Sequence, residues 1–171
     1  MSKANLLSIF FILPVILLAL IYILVWGFDS TLSILSSVKT KPNLIWVMIS
    51  IFAGIIVHEL IHGVAWMYFA DKKNGHIKFG FNWKSLTPYA HCTEPMAISP
   101  YRLGAAAPGI ILGIFPYVFG LILGNPVVAL FGLFFSMAAS GDALILWILR
   151  KVEKGKLVED HPTRAGCYVI G

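Results

Sequence analysis

The 171-residue sequence is 58% hydrophobic and 12% charged, with a formal net charge of +5, against roughly 45–50% apolar and about 25% charged in an ordinary soluble domain. That leaves too little polar surface for a soluble globule, and the apolar residues fall into uninterrupted blocks of about 20, the length that carries a helix across ~30 Å of hydrocarbon. Residues 1–171 therefore read as a single all-α integral membrane domain whose solvent is the lipid bilayer.

The first block runs Leu6 to Trp26 behind a start that carries Lys3. It is too long for a secretory signal peptide and has no small-residue cleavage site before Asp29-Ser30-Thr31, so it is expected to stay as an anchor. The second block is Leu44 to Ala70, the third Leu103 to Leu123 and the fourth Pro126 to Leu149. Only Gly124-Asn125 separates the last two, which predicts a tight helical hairpin. The expectation is thus four transmembrane helices, at about 6–26, 44–70, 103–123 and 126–149.

Four crossings put the N-terminus, the 71–102 connection and the C-terminal tail on one side. Eleven of the thirteen basic residues fall on that side, and only Lys39 and Lys41 on the other. The excess marks it as cytoplasmic, in what is expected to be a bacterial cytoplasmic membrane. Topology already accounts for the basic residues, so nucleic acid is not expected as a partner. Cys92 and Cys167 lie on the same cytoplasmic side without Cys-x-x-Cys spacing, which argues against a structural disulfide or a cysteine metal site.

Between the second and third crossings, Asp71-Lys72-Lys73-Asn74-Gly75 signals a turn. Ile77, Phe79 and Phe81 then alternate on one face, and Pro88 to Cys92 forms a second candidate strand after the polar break at Lys84-Ser85. This predicts a small cytoplasmic-side β-hairpin, either a surface linker with its aromatics at headgroup level or an edge that holds an extended peptide by strand addition. The glycines of the third block, with Pro108 and Pro116, read as packing and kink residues, and Glu159-Asp160-His161-Pro162 as a solvated turn.

The second crossing contains His58-Glu59-Leu60-Ile61-His62, an H-E-x-x-H motif. Positions four apart share a helix face, so both imidazoles can reach one metal ion, while Glu59 stands close by without being a ligand. Inside the four blocks the ionisable side chains are His58, Glu59, His62 and Asp142, with no lysine or arginine to balance the two carboxylates. A divalent cation would balance them, as would protonation on burial. Asp142 lies ~12 Å from its cytoplasmic helix end and the histidine pair ~15 Å from theirs, at 1.5 Å per residue, so the groups are level. Asp142 is accordingly the expected third ligand, ahead of His76, His91, Glu94 and His161, which lie outside the blocks. Ser140-Gly141 and Gly54 are expected to let the second and fourth helices approach.

At these residues the sequence resembles the putative zincin peptidases, small bacterial membrane proteins similar to site-2 intramembrane metalloproteases. The resemblance rests on His58-Glu59-Leu60-Ile61-His62-Gly63, Phe79-Gly80-Phe81, Tyr101-Arg102-Leu103 with Pro108, Ser140-Gly141-Asp142 and Asp160-His161-Pro162. It implies that Asp142 takes the place of the downstream aspartate ligand. Where the larger family has Asn-Pro before Asp-Gly, this sequence has Ser140-Gly141 before Asp142 and Ala143 after it. The combined expectation is a zinc metalloprotease in which His58, His62 and Asp142 bind Zn2+ and Glu59 is general base and then acid, acting on a transmembrane or membrane-associated protein. The rival readings are a non-enzymatic metal-binding or transport protein and a catalytically silent relative that binds membrane partners. Glu59 favours hydrolysis, because a storage or transport site has no use for a non-ligand carboxylate beside its first histidine.

Overall fold

Proline and glycine punctuate an otherwise helical chain. The computed structural model describes residues 12–38, 41–70, 76–83, 87–161 and 166–170. Lys3 and the start of the first block, Lys39, the Asp71–Gly75 turn, the Lys84-Ser85 break, Pro162 and Arg164 lie outside the described residues. Helix α1 (Ile12–Trp26) is followed by α2 (Phe28–Val38) and α3 (Lys41–Phe69), then by strands β1 (Ile77–Asn82), β2 (Thr87–Cys92) and β3 (Met96–Ala97). Helix α4 (Ile98–Pro108) continues through a π-helical stretch, Gly109–Ile114, into α5 (Phe115–Leu123). Helices α6 (Pro126–Ala138) and α7 (Ser140–Leu149) and strands β4 (Leu157–Asp160) and β5 (Cys167–Ile170) complete the chain.

The protein is mostly helical with a small amount of sheet. Leu44–Phe69 and Ile98–Leu123, 26 residues each, are long and apolar enough to cross a membrane, and Pro126–Ala138 with Ser140–Leu149 qualifies as a third if the pair is one span. Several boundaries differ from expectation. Residues 28–38, expected as connection, are helical, and the third helix starts at Ile98, five residues early. The fourth block is interrupted at Ala139, whose ψ of 6° leaves the helical range. Its apolar run carries no proline or glycine signal there; Gly141, the nearest glycine, comes two residues later.

The largest correction concerns the tail. Instead of a solvated turn, residues 157–160 form β4, the central strand of an antiparallel β3-β4-β5 sheet in which Val158 faces Met96 and Val169. The sequence Leu157-Val158-Glu159-Asp160 is too short to show a period, and tertiary pairing and packing stabilise it as a strand. The hairpin expected from the alternation is present: β1 and β2 pair antiparallel, Ile77 with Cys92 through Asn82 with Thr87.

The chain divides into two compact units, Met1–Gly54 with Gly109–Ser140 and Ile55–Pro108 with Gly141–Gly171. In the first, Gly124-Asn125 makes the expected tight turn between α5 and α6. Gly124 closes α5 in the left-handed conformation at φ 64°, and the Asn125 side chain accepts from the Val127 and Val128 amides to cap α6. Tyr22, Tyr117, Ala129 and Leu133 form its core, with the Tyr117 hydroxyl donating to the Leu18 carbonyl at 2.7 Å.

In the second unit, Trp66, Ile77, Cys92, Met96, Ile98, Tyr101, Leu149 and Val158 form a core shared by three helices and both sheets. Arg102 closes the end of α7, its Nη2 donating to the Leu149 carbonyl and, at 2.7 Å, to that of Val152. A cation on these carbonyls also complements the negative end of the helix.

Candidate metal centre

Helix α3 carries a stripe of rings at four-residue spacing. His58 and His62 meet edge to face with centroids 5.0 Å apart, and the indole of Trp66 stacks on His62 at 5.6 Å. Tyr101, from α4, also stacks on Trp66 at 5.6 Å and accepts the Trp66 Nε1–H on its carbonyl at 3.4 Å. Both histidines are buried. Every member of the row lies in the second unit.

Asp142, in the first turn of α7, faces this stripe. Its Oδ2 lies 3.2 Å from His58 Nε2 and its Oδ1 lies 3.5 Å from His62 Nε2. On the far side of the ring, His62 Nδ1 is 2.9 Å from the Gly104 carbonyl, to which its N–H donates. That carbonyl is available because of a proline. In a regular helix it would accept the amide of residue 108, and Pro108 has no N–H to offer. Glycine at 104 is needed too, since a Cβ there would run into the Trp66 indole. Gly63, next to His62, likewise makes room for the Phe79 ring of β1.

These groups suit a metal ion. With Nδ1–H committed to Gly104, neutral His62 turns a lone pair at Nε2 towards a carboxylate oxygen, an arrangement that calls for a proton or a cation between them. Ligands at ~2.0–2.1 Å in a tetrahedron are about 3.3 Å apart, and the observed 3.2 and 3.5 Å bracket that spacing. His58, His62 and Asp142 offer ligand atoms all within 4.8 Å of one another, and among the described residues no other group of three His, Cys, Asp or Glu does so. Two imidazoles and one carboxylate with a fourth position to spare are a donor set for zinc.

Glu59 sits beside this group and is not part of it. Its Oε2 accepts the backbone N–H of Ala90 in β2 at 3.0 Å. The strand register explains why that amide is available. Thr93 donates to His76 within the β1–β2 ladder, so alternation turns the amides of Tyr89 and His91 towards β1 and those of Ala90 and Cys92 away from it. Ala90 reaches Glu59, and Cys92 reaches Asp160 at 3.3 Å.

The other candidate ligands go elsewhere. His76 pairs with Glu94 at 2.9 Å, His91 Nδ1 lies 3.0 Å from Asp160 Oδ2, and the His161 ring stacks on Tyr168 at 5.0 Å. Gly141 does not serve the close approach expected of it, because a Cβ there would meet nothing within 4 Å, whereas Gly54 packs against the Phe135 ring. Sequence reasoning missed Trp66, Gly104 and Ala90. Trp66 was findable as the next position of the His58–His62 face, but the other two act through backbone atoms and leave no side-chain pattern.

Comparison with curated proteins and with solved structures finds no match. A family model does match, over residues 51–157, a stretch that takes in the part of α3 that carries both histidines, the hairpin, α4 and Asp142. The family is described as "Putative zincin peptidase", and this chain, matched over more than half its length, belongs to it.

Proposed function

We propose that the protein is a zinc-dependent intramembrane peptidase, similar to site-2 proteases, that hydrolyses peptide bonds of transmembrane or membrane-associated proteins. The observation that carries this reading is the convergence of His58 Nε2 and His62 Nε2 on the two oxygens of Asp142, with Glu59 adjacent and held by a separate partner. A pure metal-storage site gives no purpose to a carboxylate anchored beside the ligands.

His58, His62 and Asp142 would hold the zinc, which would supply Lewis acidity and water activation at the scissile carbonyl. Glu59 takes the proton of the attacking water and returns it to the leaving amine. The Ala90 amide fixes its Oε2, leaving Oε1 to carry that proton. The Gly104 carbonyl fixes the His62 ring, so the histidine keeps one tautomer throughout. A regular substrate helix ties up its carbonyls and must unwind locally. Strand β2 lies next to Glu59, and an extended peptide along its edge would come within about one strand spacing, ~4.8 Å, of the carbonyls that Ala90 and Pro88 turn outward.

Four crossings with both ends cytoplasmic remain our proposed topology, supported by the two apolar 26-residue helices and by the distribution of basic residues. The test of the function is metal analysis paired with hydrolysis. Purified wild-type protein should hold about one zinc per chain and cleave a transmembrane reporter, chelation should abolish cleavage and zinc restore it, and Asp142→Ala should lose both metal and activity. A wild-type protein that binds zinc stoichiometrically but cleaves neither peptides nor membrane reporters would be a metal-binding protein instead.

A further inference from the structure

Beyond the H-E-x-x-H helix, one buried carboxylate stands at the meeting point of three elements. Asp160 closes β4 three residues past the family match, with a side chain only 10% exposed. Its Oδ2 is 3.0 Å from His91 Nδ1 and 3.3 Å from the Cys92 amide, both on β2, and its Oδ1 accepts the Tyr101 hydroxyl of α4 at 3.3 Å. Three donors on one carboxylate satisfy most of its acceptor sites and fix β2 against β4 and α4.

The two β2 residues that Asp160 holds, His91 and Cys92, directly follow Ala90, whose amide holds Glu59. A second route runs through rings. The Tyr101 that donates to Asp160 stacks on Trp66, which stacks on His62. Both routes end in the site, and neither gives Asp160 contact with it. We infer that Asp160 is a positioning residue: it locks the register of β2 against the body of the unit so that the Ala90 amide keeps the Glu59 carboxylate aimed. This rests on the peptidase reading for its consequence and on the hydrogen-bond chain alone for its mechanism. The pairing of His91 and Cys92 with Asp160 also explains why the tail is a strand. A solvated turn could not present a fixed carboxylate to β2.

The experiment compares zinc-loaded, detergent-solubilised wild type, Asp160→Ala and Asp160→Asn by amide hydrogen exchange resolved at residues 87–92 and by steady-state cleavage of a membrane reporter. Asparagine can keep an acceptor for His91 and Cys92 while its NH2 donates to the Tyr101 oxygen. Asp160→Ala should speed exchange at Ala90 and Cys92 by about tenfold or more while α3 stays protected. It should also lower kcat about 10- to 100-fold, with zinc content and KM unchanged. Asp160→Asn should return both readouts most of the way to wild type. Unchanged exchange at Ala90 in Asp160→Ala, or exchange raised equally throughout the chain, would overturn the inference. So would a kcat loss that Asp160→Asn shares in full. If Asp160→Ala does not fold, His91→Ala removes one donor from β2, leaves the carboxylate in place, and carries the same comparison. A wild type without peptidase activity would count against the proposed function alone, and the exchange arm would still decide the positioning.

Discussion

His62 owes its orientation to a proline four residues beyond its partner. Pro108 leaves the Gly104 carbonyl without its helical donor, and His62 Nδ1 takes the place. Pro108→Ala restores the amide, which should compete for that carbonyl and loosen the ring. Groups that orient a metal-binding histidine typically contribute 10–100-fold in affinity, so zinc should bind about tenfold more weakly in a competition titration. Equal affinity would mean that the carbonyl serves both donors without loss. The motif histidines and Glu59 were legible at this scale because a helix repeats every 3.6 residues, and Asp142 was legible by depth. Gly104 and Ala90 were not, since a backbone group's role depends on which neighbour fails to use it.

Asp160 makes a second residue-scale prediction. Burial pushes its carboxyl above the ordinary range, with His91, the Cys92 amide and Tyr101 pulling the other way. A carboxyl raised on folding adds stability below its unfolded value of about 3.9 and loses it as pH rises through the higher folded value. Asp160→Asn cannot ionise, so its Tm should decline less than that of wild type as pH is raised upward from about 4. Parallel Tm curves for the two proteins would remove burial as the dominant influence on this group.

Among the elements, the hairpin links chemistry to architecture. Alternation through Ile77, Phe79 and Phe81 predicted a strand, and the register now says which positions matter. Lys78 faces His91 at a ladder position whose amide points to β2. Lys78→Pro deletes that donor and should let β2 slip away from Glu59, lowering turnover at least about tenfold with zinc still bound. Lys78→Ala keeps the amide and should be near wild type in the same assay. Equal activity of the two variants would separate the hairpin from catalysis. Strands β3, β4 and β5 were not legible because segments of two to four residues carry no period; the central strand β4 packs against α4 and β2 and pairs with the other two. The interruption at Ala139 was hidden for a related reason: hydrophobicity sets the length of an apolar run, and packing decides where the helix within it breaks.

At the scale of the whole molecule, two 26-residue helices are long and apolar enough to cross a membrane, and the proposed orientation rests on the distribution of basic residues. Cysteine substitutions labelled by a membrane-impermeant reagent should react from outside at Ser36 and only after permeabilisation at Lys154. Labelling of both from one side would reject the four-crossing topology.

The central claim is that this molecule uses a metal to cut peptide bonds, with Glu59 as its proton carrier, and one substitution tests it most directly. Glu59→Gln keeps the size of the side chain and an oxygen for the Ala90 amide, and removes the basicity. Metal analysis and single-substrate kinetics on the same preparation should show full zinc content and a kcat lowered by about 10²–10⁴-fold, the usual contribution of general acid–base catalysis. Wild-type cleavage by Glu59→Gln with its zinc in place would contradict the account.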